Sequence, residues 1–156
     1  MNKKPSLILR KVTKGDENLL LNWKNDFDVR RGSFNNKSIK SDEHKLWFRQ
    51  KFIDKNVLFW ILEFEHKPAG MVRMEKKRKE ILLNYLIAPQ SRGKKFASKM
   101  LKMAIVELNN HWKDINVVAY TLPENIPSIR SLEKAGFILR SSSVKKKCYV
   151  FNARGN

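Results

Sequence analysis

Between Leu86 and Ser98 the chain reads Leu-Ile-Ala-Pro-Gln-Ser-Arg-Gly-Lys-Lys-Phe-Ala-Ser, and no other stretch restricts the fold as much. An apolar strand stops at Pro89, whose ring removes a backbone donor. A short basic turn carrying Gly93 follows. A long helix then begins, with Phe96, Met100, Ala104 and Leu108 forming an apolar stripe flanked by Ala97, Leu101 and Ile105. The free N–H groups at such a helix start carry partial positive charge, Gly93 lets a ligand approach the backbone, and Ala97 and Ser98 leave room above the first turn. With the charges of Arg92, Lys94 and Lys95, the segment predicts an anion site. A solvated loop in a lysine-rich chain is the alternative.

The rest of the chain supplies the sheet that this segment needs. Ser6–Val12 predicts a first strand, and Thr13-Lys14-Gly15-Asp16 resembles a capping box in which the Thr13 hydroxyl accepts from the first turn of a helix containing Leu19, Leu20, Leu21 and Trp23. That helix is expected to fray at Asn25-Asp26, and residues 30–40 to form a long loop. Ser41 is expected to cap a second helix with Leu46, Trp47, Phe48, Phe52 and Ile53 at helical spacing. Val57–Phe64 predicts a buried strand, with a hairpin to Ala69–Met74, a turn at Lys76–Lys79 and a strand over Ile81–Ala88. After the helix expected over 93–110 come a strand at Ile115–Thr121, a helix at Ile126–Ala135 closed by a left-handed Gly136, and two strands within Phe137–Phe151. The order β-α-α-β-β-β-α-β-α-β-β predicts one α/β (α+β) domain over residues 1–156, a mixed sheet with helices on its faces.

Composition limits the class of function. Of 156 residues, 33 are Lys or Arg and 15 Asp or Glu, a formal net charge of +18. Disorder is excluded because 42% of residues are hydrophobic and 10% aromatic. The lone Cys148 forms no internal disulfide and there is no metal framework, which suits a reducing cytoplasm; no metal is expected. The longest apolar run, Val57–Leu62, falls short of the ~18 residues of a membrane span, and no signal-like apolar segment follows Met1. A soluble cytoplasmic protein with anionic partners is expected: nucleic acid, an anionic membrane surface or phosphorylated small molecules. The cations are spread over the chain, with no helix-turn-helix, zinc or RNA-recognition signature, which argues against a non-enzymatic nucleic-acid binder.

A second motif gives the basic turn its meaning. Asn125-Ile126-Pro127-Ser128-Ile129-Arg130-Ser131-Leu132-Glu133-Lys134-Ala135-Gly136-Phe137, taken with Arg92-Gly93-Lys94-Lys95-Phe96-Ala97, closely resembles the GCN5-related N-acetyltransferases, the GNAT superfamily, over roughly residues 6–140. The resemblance implies the acyl-CoA N-acyltransferase fold, with a mostly antiparallel sheet, and acetyl-CoA as cofactor. It places the coenzyme A pyrophosphate on the backbone of Arg92, Gly93, Lys94, Lys95, Phe96 and Ala97. The pantetheine arm would pair with the strand edge at Leu86, Ile87 and Ala88, and Asn125 and Ser128 would hold the arm or the acetyl end. Two departures stand out. Lys95 replaces the usual middle glycine, so that turn must accept a β-carbon, and Leu132 replaces the tyrosine that many members use to protonate the leaving thiolate.

Three residues are candidates for the proton chemistry that acetyl transfer to an amine needs. Tyr85 could donate to the leaving group, unless it is plain strand packing. Glu80 could act as a base through water, or simply neutralise the Lys76–Lys79 run. His44 titrates in the useful range, or caps the second helix. In the N-terminal third, Leu21 to Arg30 and Asp42 to Phe48 are similar to the branch that acetylates nucleotide-linked amino sugars in pseudaminic-acid type pathways. That similarity implies a UDP-sugar acceptor, with Arg30 on phosphate, Trp23 or Trp47 stacking, and Asn25 and His44 nearby; helix packing is the alternative for both tryptophans. A similar Leu-x-x-Trp-x-Asn opening occurs in ribosomal-protein N-terminal acetyltransferases, so a protein N-terminus is the second acceptor. A homodimer is compatible with all of this.

Overall fold

A computed structural model describes residues 3–153. Its centre is a seven-stranded sheet in the order β1-β2-β3-β4-β5-β7-β6, comprising β1 (Leu7–Lys11), β2 (Val57–Phe64), β3 (Lys67–Lys76), β4 (Glu80–Ile87), β5 (Asn116–Thr121), β6 (Ile138–Ser142) and β7 (Lys147–Phe151). Every neighbouring pair is antiparallel except β4 with β5. β2 reads as a continuous apolar run because both of its faces are covered. Trp60 and Leu62 point into a core shared with α4 (Phe96–Leu108) and α5 (Ile126–Lys134), while Phe59 and Ile61 point to the opposite side, where α1 (Glu17–Asn25) and α3 (Ser41–Ile53) bring Leu20, Trp23 and Phe48. No helix among the described residues is long and apolar enough to cross a membrane.

The fold class follows the sequence expectation, with local corrections. Residues 27–31, expected as frayed helix and loop, form a further short helix, α2 (Phe27–Arg31), because the Asp26 carboxylate accepts from the Asp28 and Val29 N–H groups at 3.1 and 3.2 Å. The capping box expected at Thr13–Asp16 is present, around a short 3-10 turn ahead of α1: the Asp16 carboxylate reaches back to the Thr13 N–H at 2.7 Å, and it also takes the Thr13 hydroxyl at 3.2 Å and both Arg10 guanidinium nitrogens. Ser41 is the first residue of α3 and makes no cap bond; Lys40 is the cap. The helix expected from residue 93 starts at Phe96, because Gly93 and Lys95 both have left-handed backbones, with φ of +77° and +60°.

A buried ionic cluster joins α1 and α3 to the sheet. Glu75, 5% exposed, accepts from Lys51 at 2.8 Å, Arg73 at 2.9 Å and Lys77 at 3.1 Å. Beside it the Lys24 ammonium lies 3.0 Å and the Arg73 guanidinium 4.7 Å from the centroid of the same indole, Trp47. Two buried cations cannot both keep their charge there. Arg73 retains its proton, and burial, reinforced by Arg73 and Lys51 against the pull of Glu75, pushes Lys24 down to about 6. An unfolded lysine titrates near ~10.4, so between pH 6 and 10 the unfolded chain binds the extra proton and stability rises with pH. Lys24→Met is expected to raise stability at pH 7 by about 1–3 kcal/mol and to flatten the slope between pH 6 and 10. Thermal melts at several pH values read both.

Candidate functional site

The site grows from the one parallel pairing. β4 and β5 share only three residue pairs, Glu80 with Asn116, Ile81 with Val117 and Leu82 with Val118, whereas β4 stays paired with β3 as far as Ile87 opposite Gly70. Beyond Leu82 the two strands diverge and leave the β5-facing edge of Leu83–Ile87 without a strand partner. A cleft of about 1380 Å³ opens there, lined by Tyr85, Leu86 and Ile87, by the turn into α4, by the start of α5 and by α2.

The turn into α4 is a cradle of unused donors. Among the described residues no protein acceptor meets the amide N–H groups of Gly93, Lys94 and Lys95, and the first-turn N–H groups of α4 add to them. A β-carbon built on Gly93 would meet nothing within 4 Å, so the space beside this backbone is open. Free amides at a helix start, a cationic rim and an unpaired strand edge form the donor set that a pyrophosphate followed by an amide-bearing arm requires. Coenzyme A therefore fits these residues. Lys95 occupies its left-handed backbone at the cost of crowding its β-carbon, about 1 kcal/mol. Lys95→Gly is expected to raise the melting temperature by roughly 2–4 °C, which a thermal denaturation scan measures.

The cations expected at this turn divide their tasks. Arg92 lines the cleft but bonds Asp26 at 2.7 Å and Asp28 at 3.2 Å, tying α2 to the turn and holding the Asp26 carboxyl below its ordinary range. Lys94 lies outside the cleft, 5.6 Å from the Phe64 ring centroid and 6.0 Å from that of Phe96. Lys95, Ala97 and Ser98 line the cleft, as does Phe96 although it is 6% exposed. Ala88 is fully buried beneath α1 and α3, so of the expected strand edge only Leu86 and Ile87 face the cleft.

At the inner end, the Tyr85 hydroxyl lies 2.6 Å from the Ser128 Oγ and donates to the Ser128 carbonyl at 3.2 Å. Burial pushes this phenol up to about 12, the serine contact only partly offsetting it. Tyr85 thus stays protonated and acts as a hydrogen-bond donor, never as a base. Asn125 lines the cleft, but both ends of its amide are engaged: Oδ1 accepts from the Ser128 N–H at 3.3 Å and caps α5, while Nδ2 donates to the Gly32 carbonyl at 3.3 Å. Its role is to hold α5 and the end of α2 together.

Several expected site residues are structural instead. His44 is 1% exposed; its Nε2 donates to the Glu17 carbonyl at 2.7 Å, and burial lowers its pKa, so it locks α3 to α1. Glu80 bonds Arg140 at 2.6 Å at the far end of β4, away from the cleft, and its carboxylate pairs with none of the lysines of the Lys76–Lys79 run that it adjoins. Trp23 is 4% exposed in the core, and Trp47 is covered by Lys24 and Arg73. Asn25 clamps the loop after α2, donating to the Ile39 carbonyl at 2.9 Å and accepting the Ile39 N–H at 2.7 Å. Arg30 does not line the cleft, yet its Nε is buried without a partner among the described residues. Sequence reasoning missed Asp26 and Asp28. The capping signature of Asp26 was legible, but the bonds of both carboxylates to Arg92, sixty-odd residues away, were not.

Solved structures share this architecture. The spermidine N-acetyltransferase of Vibrio cholerae, crystallised with CoA and spermine, superposes with a TM-score of 0.85 at 18% identity, over 95% of this chain and 96% of that one. A domain from Methanocaldococcus jannaschii gives 0.83 at 22% identity, over 96% and 99%. An aminoglycoside acetyltransferase in complex with coenzyme A gives 0.75 at 17%, over 96% of each chain. No curated protein matches the sequence. The acetyltransferase (GNAT) domain family does match, over residues 6–138, which takes in the splayed strand, the amide cradle and α5. By that match and by the fold built around it, the chain belongs to the GNAT acetyltransferases.

Proposed function

We propose that this enzyme transfers the acetyl group of acetyl-CoA to the primary amine of a phosphorylated small molecule, a nucleotide-linked amino sugar such as a UDP-4-amino-4,6-dideoxy sugar, in the cytoplasm. The carrying observation is the amide cradle at Gly93–Lys95 beside the unpaired edge of β4. Bound there, acetyl-CoA supplies a thioester carbonyl that an amine can attack. The backbone of residues 93–98 would hold the pyrophosphate, Leu86 and Ile87 the pantetheine arm, and Lys95 a rim charge. Tyr85, beside Ser128, would donate a hydrogen bond to the sulfur. With its phenol pushed up to about 12, against ~8.5 for a thiol, it steadies a thiolate without giving its proton away. The amine arrives neutral or loses its proton to water, and positioning supplies most of the rate.

Charge favours an anionic acceptor. The V. cholerae neighbour was crystallised with spermine, a polycation, but a chain of net charge +18 repels polycations and concentrates anions. Purified protein with acetyl-CoA, followed by thiol release, is expected to show kcat/KM at least ~10-fold higher on the UDP-amino sugar than on spermidine or on N-terminal peptides. Added salt should lower the rate on the sugar. Faster turnover of spermidine, with a rate that rises on adding salt, would overturn the acceptor assignment. Tyr85→Phe is expected to lower kcat by about 10–100-fold with little change in KM for acetyl-CoA.

A further inference from the structure

The cleft employs few of the chain's cations. At the opposite end of the sheet three connections meet: the α3–β2 loop, the β3–β4 hairpin and the α4–β5 loop. The Lys76 N–H donates to the Asn56 carbonyl at 2.8 Å, the Lys76 ammonium lies 5.7 Å from the Trp112 ring centroid, and the Lys77 N–H closes the hairpin on the Glu80 carbonyl at 2.8 Å. This end carries Lys55, Lys76, Arg78, Lys79 and Lys113, all exposed and none in an ion pair among the described residues. Some of the neighbouring acids are paired: Glu75 is buried under its three cations and Glu80 is paired with Arg140. Asp54, which accepts the Asn56 N–H at 2.8 Å, Glu107 in the last turn of α4 and Asp114 keep their charge, so the five cations outnumber the free acids at this end. At the same rim Ile53, the last residue of α3, is 78% exposed.

We propose that this end of the molecule docks on an anionic lipid surface. Four of the five unpaired cations are lysines, whose ammonium groups answer to charge density without the bidentate geometry that a base edge or an ordered phosphate requires. Lys55, Arg78, Lys79 and Lys113 sit in the loops and Lys76 ends β3, so the cations are spread over three connections. Trp112 is packed beneath Lys76 and is not presented as a stacking platform. Ile53, exposed at the same rim, can enter the headgroup region while the cations remain in water beside the phosphates. Tyr85–Ile87 lie at the other end of β4, about 17–23 Å from Glu80 at ~3.3 Å per residue, so the cleft stays open to solvent when this end is covered. The docking is independent of the acceptor's identity.

Flotation of the whole protein with vesicles tests it. Recovery is expected with phosphatidylcholine vesicles containing about 30 mol% phosphatidylglycerol, not with phosphatidylcholine alone, and is expected to be lost at about 0.5 M salt. Lys76→Glu with Lys79→Glu should weaken binding at least ~10-fold, and Lys55→Glu with Lys113→Glu, a second pair on the same end, should do the same. Ile53→Ser should weaken it about 3-fold or more. Lys145→Glu with Lys146→Glu, on the hairpin at the cleft end, should leave it within ~2-fold. Thermal melts check that each variant is folded. Equal recovery on neutral vesicles, no recovery on anionic ones, or equal loss from both hairpins overturns the proposal. Tighter binding of a single-stranded RNA, dependent on the same four lysines, assigns the surface to nucleic acid and overturns it too.

Discussion

Gly93→Glu is expected to lower coenzyme A affinity by at least ~100-fold while the protein stays folded, as isothermal calorimetry and a melting curve would show together. The fold survives because a β-carbon at residue 93 meets nothing within 4 Å. Its only local cost is the φ of +77°, about 1 kcal/mol for a residue with a β-carbon. The binding loss has a different origin. The open space beside the Gly93–Lys95 amides is where a pyrophosphate would sit, and a carboxylate placed there both fills it and repels the phosphates. Gly93→Ala separates the two effects. It carries the same backbone strain with one methyl and no charge, so it should cost a few degrees of melting temperature and less than ~10-fold in affinity. Unchanged affinity in Gly93→Glu would remove the pyrophosphate from this turn.

Glu75→Ala is expected to destabilise the protein by about 3–5 kcal/mol, the usual cost of leaving a buried partner charge uncompensated. Arg73 would lose the carboxylate at 2.9 Å, and Lys51 the one at 2.8 Å, on a strand covered by α3. For a chain of this length the midpoint should fall by roughly 6–20 °C. The three cations hold Glu75 down at about 2 despite its burial. A carboxylate depressed in this way stabilises the fold fully above its ordinary range and loses that contribution as pH falls from about 4.5 toward 2. Glu75→Ala should therefore show a shallower loss of stability over that interval than the parent chain. A loss below ~1 kcal/mol at pH 7 would mean that desolvation offsets the whole attraction.

Much of the architecture was legible because it rests on local rules. Runs of apolar and β-branched residues bounded by turn residues located the seven strands, period-3.6 stripes four of the five α-helices, and Gly136, with φ of +97°, closes α5 as expected. The amide cradle was legible for the same reason, since a proline-terminated strand, a glycine and a helix start are consecutive in the chain. α2 escaped notice because five residues carry too little periodicity to register against their loop-like composition.

The acceptor and catalytic residues were much less legible. His44, Trp23, Trp47 and Asn25 are residue types that serve equally in a site or in a core, and burial decides between the two. From one dimension came the order of elements, the excess of positive charge and the segment able to bind an anion through its backbone. Three dimensions settled which charges remain free. Arg92 is taken up by Asp26 and Asp28, Glu80 by Arg140 and Asn125 by Gly32, while Tyr85 is brought to Ser128 across forty-three positions. Side-chain pairing at that separation depends on where the sheet places each strand, and no spacing along the chain encodes it.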